Sequence, residues 1–309
     1  MVVAGSGVSA RPPLMMGEHS SFNELEMMVF AELAGASYCP QSDIQDWSCG
    51  PCIDSGLAVG DVKFVAQDDL GTENSSFVVV AKLALQPGCL ISFRGSHDIA
   101  NWLRDAEIWG SVVAETVSMC PGCEIHSGFY TIWTNIQDHV KQTLLDVGCS
   151  PGGLENDLYI TGHSLGAGLA HIAMFALADF GYDIMQSYTF ESPRVGNGAF
   201  RDAFTKQFNR SIPVWRITHQ KDPIVHLPST FVCGYEHVMS EVFYFYDEDL
   251  EEVVYKTCDD LDGEDPTCSN SETSWDVNDH CNVPYVIGGD ICSCATSRAP
   301  GHSEKLVTV

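Results

Sequence analysis

The stretch from Leu158 to Leu177 constrains the chain more than any other. A short apolar strand, Leu158 to Thr161, runs into Gly162-His163-Ser164-Leu165-Gly166, and an apolar run with helical spacing, Leu165 to Leu177, follows at once. Strand, turn and helix in so few residues put Ser164 on sharp, strained backbone with its hydroxyl pushed out into a cleft. Gly162 and Gly166 are needed because a Cβ at either position would collide with the adjoining strand or helix. The first helical N–H groups, beginning with that of Leu165, point at any oxyanion formed beside the serine. A bare G-x-S-x-G is common by chance, and only the flanking strand and helix make Ser164 a candidate nucleophile.

Elements on either side follow the same logic. Ser21 to Ala36 predicts an amphipathic helix with Ser21 as N-cap and Glu24 completing a capping box. Cys39 to Cys52 reads as a loop, and Asp61–Ala66, Ser76–Leu85 and Cys89–Phe93 read as strands between polar or Pro-Gly turns. A short amphipathic segment, 98–106, a strand, 107–115, and a long helix, 127–147, lead to the serine strand. Beyond it the pattern alternates: helix 165–179, strand 185–190, helix 197–208 and strand 214–218, closed by an antiparallel pair at 241–246 and 252–257. Alternating strands and helices imply an α/β fold with a mostly parallel sheet and right-handed crossovers, whose chemistry collects at the carboxyl ends of the strands. We expect one α/β domain over residues 21–309 behind a flexible segment, 1–20.

Composition narrows the partners. Fifteen Lys plus Arg against 42 Asp plus Glu give a formal charge of −27, which repels phosphate backbones and anionic lipid head groups. Nucleic acid is not expected as a partner. No stretch approaches the ~20 apolar residues of a transmembrane helix. Residues 1–16 carry one basic residue, Arg11, and no continuous apolar run, so they read as a mature or engineered terminus. Thirteen cysteines imply several disulfides and an oxidising compartment, with an odd thiol left over.

A serine nucleophile needs a histidine to take its proton and a carboxylate to hold that histidine. Chain order in such folds is serine, acid, histidine. Asp222 fits the acid because it follows the strand 214–218 in a loop at the serine's edge of the sheet. Four histidines follow it. His226 is only four residues on, His237 sits just before a strand, and His280 and His302 remain as candidate bases; His280 precedes an apolar segment, 283–287.

Several motifs carry a resemblance. They are Ser92-Phe93-Arg94-Gly95-Ser96, Asn101-Trp102, Cys120-Pro121-Gly122-Cys123, His126-Ser127-Gly128-Phe129, Thr161 to Gly166, Ser192-Pro193-Arg194-Val195-Gly196-Asn197, Asp222-Pro223 and His226-Leu227-Pro228. In order and spacing the chain from Ser21 to Ile287 resembles the filamentous-fungal, or class 3, triacylglycerol lipase family. The resemblance implies a single-domain α/β-hydrolase with a nucleophile elbow and a Ser164–His280–Asp222 triad. His280 is favoured because Asp279-His280 and the stretch to Gly288 are similar to the family's histidine segment. It also implies an oxyanion hole from Ser96 and the N–H of Leu165, and a short helical lid over 97–109 with Ile99, Trp102 and Leu103 among its apolar residues. Four charges in that lid, Asp98, Arg104, Asp105 and Glu107, weaken the case for strong interfacial activation. The family further implies the pairs Cys120–Cys123 and Cys39 with Cys292 or Cys294, and we add Cys258–Cys268 as a guess.

Other signals are set aside. Cys49-Gly50-Pro51-Cys52 has the redox C-x-x-C spacing, but neither a strand before it nor a helix after it is evident, so a structural disulfide is expected. The acidic run at Asp260 and Asp262 lacks the strongest carboxylates of a calcium loop, and the paired cysteines are too far apart for one zinc site. Asn74 and Asn209 are bare glycosylation sequons. The reading is a secreted carboxylic-ester hydrolase, a triacylglycerol lipase needing no metal or cofactor and meeting its lipid or ester substrate at an oil–water interface. A feruloyl or short-chain esterase, a catalytically dead binding protein and a disulfide oxidoreductase are the alternatives.

Overall fold

Residues 157–163 alternate so that Leu158 and Ile160 face one apolar layer while Tyr159 faces the other, as a strand buried on both faces must. The computed structural model describes residues 21–65, 78–96, 114–116, 120–208, 214–231, 234–238, 240–258 and 263–294. Among these, the serine strand β6 (Asp157–His163) lies in the middle of the main sheet.

On one side of it stand β1 (Val59–Val65), β2 (Val78–Leu83) and β3 (Cys89–Phe93). On the other stand β8 (Ser187–Phe190), β10 (Val214–His219), β12 (Glu241–Asp247) and β13 (Glu252–Thr257), with the two-residue β7 (Asp183–Ile184) also paired to β6. The order is β1-β2-β3-β6-β8-β10-β12-β13. Strands β3 through β12 run parallel and the outer pairs antiparallel, the mostly parallel sheet that the alternating pattern implied. A small antiparallel sheet joins β4 (Ala114–Thr116), β5 (Glu124–His126), β9 (Gly196–Asn197) and β11 (Tyr235–Glu236).

Helices cover both faces. α4 (Ser127–Asp146), α5 (Leu165–Phe180) and α6 (Gly198–Gln207) share one core with Ile91, Phe93, Leu158 and Ile160. α1 (Glu24–Ala36) packs the opposite face through Phe30, Leu33 and Ala34 against Leu90, Tyr159, Tyr188 and Ile217. α5 is buried along nearly its whole length, which is why it is apolar all round rather than amphipathic.

Two local expectations are corrected. α1 starts at Glu24, not Ser21: Asn23 is the cap and its Oδ1 accepts from Glu26 N–H at 3.2 Å. Glu26 is turned into the core, where its Oε2 accepts from Gln186 and Tyr188, so long-range bonds set the register. The Cys39 to Cys52 stretch is not all loop, because α2 (Gln41–Gln45) and α3 (Gly50–Asp54) are single helical turns within it. Cys49 caps α3 and is disulfide-bonded to Cys52, and both are buried, which leaves the pair structural despite the helix. The other bridges among the described residues are Cys39–Cys294, Cys89–Cys149, Cys120–Cys123, Cys258–Cys268 and Cys281–Cys292. Asn74 and Asn209, Asp260 and Asp262, and His302 lie outside the described residues.

Candidate active site

Ser164 occupies the turn between β6 and α5 with φ 58 and ψ −127, a backbone conformation few side chains tolerate. The glycines around it make that turn sterically possible. A Cβ at Gly166 would drive into the Phe93 carbonyl group, with its carbon 2.7 Å away, and one at Gly162 would meet the backbone of Gly166. Gly95 is as constrained: its Cβ would lie 3.0 Å from the Ser164 Cβ. The elbow therefore forms only where strand β6, helix α5 and the end of β3 press together without side chains.

The base arrives from far along the chain. A 3₁₀ turn, Val277–His280, places His280 fully buried, with Nδ1 2.8 Å from Asp222 Oδ2. Asp222, also fully buried, follows β10, and its Oδ1 accepts from the Ile224 N–H at 2.9 Å. A carboxylate accepting on Nδ1 leaves Nε2 of a neutral imidazole as the free base. His280 Nε2 is buried and has no hydrogen-bond partner among the described residues. The structure thus brings His280 and Asp222 into contact and leaves the bond from Ser164 to the histidine unmade, a geometry that commonly tightens only with substrate bound.

Leu165 is the first residue of α5, so its N–H has no acceptor within the helix. Ser96 follows β3 and the tight Gly95 turn against Ser164, half-buried. Ile99, Trp102 and Leu103 lie outside the described residues. Two groupings have the spacing to hold a cation, Cys258/Asp265/Cys268 and Cys281/Asp290/Cys292, but each contains a disulfide, so its sulfurs are not thiolate ligands.

The chain has relatives among known proteins. The class 3 lipase profile matches residues 90–232, from β3 through the Asp222 loop. The chain is 30% identical over 239 residues to secreted mono- and diacylglycerol lipase A of Penicillium cyclopium, covering 75% of this chain and 74% of that one. The chain belongs to the class 3 lipase family. The solved structure of Rhizomucor miehei triacylglyceride lipase superposes with a TM-score of 0.69 at 26% identity, covering 87% of this chain and 96% of that one. A triacylglycerol lipase described as having a serine protease triad at its catalytic centre superposes at 0.66 with 25% identity, over 87% and 96% of the two chains. The fold is the α/β-hydrolase fold, and the chain is a serine ester hydrolase.

In this lipase several site residues escaped the sequence reading. His163, inside the G-x-S-x-G motif, bonds through Nε2 to the His280 carbonyl at 2.9 Å and through Nδ1 to the Tyr38 hydroxyl at 2.8 Å. Burial, then the neighbouring His280, holds His163 well below the usual histidine value, so it is neutral. The Tyr38 hydroxyl also takes the Gly95 N–H, joining the β3 turn to the elbow. His219 Nδ1 bonds the Asp279 carbonyl at 3.1 Å, and Asp279 Oδ2 takes the Lys221 N–H at 3.2 Å, so the His280 turn is pinned to the end of β10. Arg194 of the Ser192-to-Asn197 motif bonds the carbonyls of His226 and Pro228 and forks onto Glu264 with two bonds of 2.8 Å. That clamp fixes the loop that begins with Asp222.

Proposed function

We propose that Ser164, His280 and Asp222 are the catalytic triad of a secreted lipase that hydrolyses acylglycerol esters. The observation that carries this reading is the buried Asp222–His280 hydrogen bond, which leaves Nε2 unpaired on a ring packed 4.7 Å from that of His163, the residue before a serine on strained backbone.

Ser164 Oγ attacks the ester carbonyl as its proton passes to His280 Nε2, and the carbonyl electron pair moves onto oxygen. The Leu165 N–H and Ser96 stabilise that oxyanion, each such donor lowering the barrier by about 3 kcal/mol. The pair returns, the alcohol leaves with the proton from His280, and an acyl-enzyme remains. Water then repeats the sequence, His280 taking its proton, and the fatty acid is released. Asp222 holds the imidazole tautomer throughout.

An acylglycerol substrate is supported by relatives named secreted mono- and diacylglycerol lipases. Secretion accords with the six disulfides among the described residues, since such bonds persist in oxidising compartments. The segment 97–109 serves as the lid, Ile99, Trp102 and Leu103 meeting the lipid surface, and residues 21–309 serve as one hydrolase domain. The charges of that lid favour a second reading, a short-chain esterase acting on dissolved esters. Hydrolysis of an emulsified long-chain acylglycerol against a soluble butyrate ester separates the two: a lipase clears the emulsion, and activity on the butyrate alone supports the esterase.

A further inference from the structure

Glu191 directly follows β8, the strand beside the one that leads to Asp222, and it is fully buried. Its φ of 50 puts a glutamate in the left-handed region, where a non-glycine residue persists only if its surroundings hold it there. The holds are specific. Its N–H donates to the Ile217 carbonyl at 2.9 Å, Oε1 accepts from the Tyr285 hydroxyl at 2.6 Å, and Oε2 accepts from the His219 N–H at 3.1 Å. The remaining polar neighbour is the Asp222 carboxyl, in side-chain hydrogen-bond contact.

Two carboxyl groups can bond only if one carries a proton. Both oxygens of Asp222 already accept, Oδ2 from His280 Nδ1–H and Oδ1 from the Ile224 N–H. Glu191 is the partner that keeps the proton: burial, and after it the charge of Asp222, raises its carboxyl well above the ordinary glutamate range, outweighing the Tyr285 and His219 bonds that act the other way. The other titratable groups facing the pair are His219 at the end of β10, His226 in the turn after Asp222, Tyr285 after the histidine turn, and, through Asp222, His280 with His163 against its ring. Burial holds His219 and His163 below the usual histidine value.

Resting on the triad reading, we propose that Glu191 is a neutral carboxylic acid that donates a hydrogen bond to the Asp222 carboxylate and acts as a positioning residue for the triad. Asp222 then has three donors, which fix its orientation and draw charge away from His280. Loss of the Glu191 donor is therefore expected to show in the acid limb of activity.

The test compares Glu191→Gln with Glu191→Gly. A glutamine amide can give one proton to Asp222 and one to the Tyr285 hydroxyl while its carbonyl keeps the His219 N–H, so kcat and the acid limb of kcat/KM are expected within about twofold and ~0.3 pH units of wild type. Glycine adopts positive φ freely, so that variant's backbone is unstrained, yet it lacks the donor. Its kcat is expected to fall about tenfold with little change in KM, and its acid limb to move up by ~0.5–1 pH unit. Infrared spectroscopy of the wild type at neutral pH is expected to show a protonated-carboxyl C=O band that Glu191→Gln removes. A missing band, or an acid limb that moves down by a unit or more in Glu191→Gln, would mean that Glu191 is ionised and overturn the proposal. An unchanged kcat and pH profile in Glu191→Gly would also overturn it, leaving Glu191 a structural residue. Because the infrared band reports on the folded protein without turnover, it decides the state of Glu191 even if Ser164→Ala were to retain activity and sink the triad reading.

Discussion

The ring of His163 and the main chain of His280, 117 residues apart, are joined by a 2.9 Å bond from Nε2 to the carbonyl oxygen. A carbonyl only accepts, so the proton of His163 is on Nε2, and its Nδ1 accepts from Tyr38. The residue before the nucleophile therefore grips the base directly, and the motif histidine is a structural link between the two halves of the site.

Tyr38→Phe tests that link. It removes one hydroxyl and leaves His163 Nδ1 and the Gly95 N–H without their partner, in a site closed to water. We expect a loss of about 1–3 kcal/mol in stability. Displacement of the histidine turn is expected to cost roughly 10- to 100-fold in kcat. Thermal unfolding and steady-state kinetics on a soluble ester check both, and a variant with wild-type values on each would show that the link is idle.

Gly166→Ala addresses the elbow itself. The added Cβ meets the backbone of Phe93 and Arg94, which belong to the strand and turn that flank the serine and cannot rotate aside. Overpacking of this kind is expected to cost roughly 3 kcal/mol. Denaturant unfolding is the check, and a change of under 0.5 kcal/mol, within ordinary surface noise, would contradict the packing described.

The two disulfides near the carboxyl end are expected to behave differently. Cys281–Cys292 begins one residue after His280 and spans a separation of 11, so its removal by paired serine substitutions should cost about 3 kcal/mol and depress kcat strongly. Cys39–Cys294 spans a separation of 255 and ties α1's exit to the end of the described chain, so its loss should cost about 5 kcal/mol with a smaller effect on kcat. Melting temperatures alongside kcat for the two double variants separate a bridge that shapes the site from one that closes the fold.

Acid sensitivity has a sign that follows from Glu264. Burial alone would raise its carboxyl, but the Arg194 bonds, helped by His237 and Asn270, hold it below the ordinary value of 4.5. A depressed folded-state pKa contributes stability above the unfolded value and loses it as pH falls through the folded one. Stability is therefore expected to drop as pH falls below about 4.5, and Glu264→Gln, less stable near neutrality, is expected to lose less over that acid range. Urea unfolding at a series of pH values measures the slope. Equal slopes for both proteins would remove Arg194–Glu264 as a source of the acid sensitivity.

What could be read from the chain divides by distance along it. β3 and β13 appear with the bounds their apolar, β-branched runs and flanking turns indicate, Cys89–Phe93 and Glu252–Thr257. The Ser164 turn was legible because strand, motif and helix are contiguous. α1's cap was misplaced because Ser21 and Asn23 both cap well, and the choice fell to Glu26's bonds with Gln186 and Tyr188, 160 and 162 residues away. α2 and α3 are too short to show a period. His163, Tyr38 and Glu191 stayed unread for the same reason: each acts through a partner that no local pattern names. Spacing alone left His280 and His302 open, and Cys89–Cys149 and Cys281–Cys292 were not separable from the many pairings thirteen cysteines allow.

The central claim is that Ser164 is activated by His280. We would treat wild type, Ser164→Ala and His280→Ala with an active-site phosphonate ester and follow covalent attachment by peptide mass spectrometry. We expect stoichiometric labelling of the Ser164 peptide in wild type, none in Ser164→Ala, and a rate slowed by roughly 10³-fold or more in His280→Ala. Labelling at another serine, or an undiminished rate in His280→Ala, would contradict that claim.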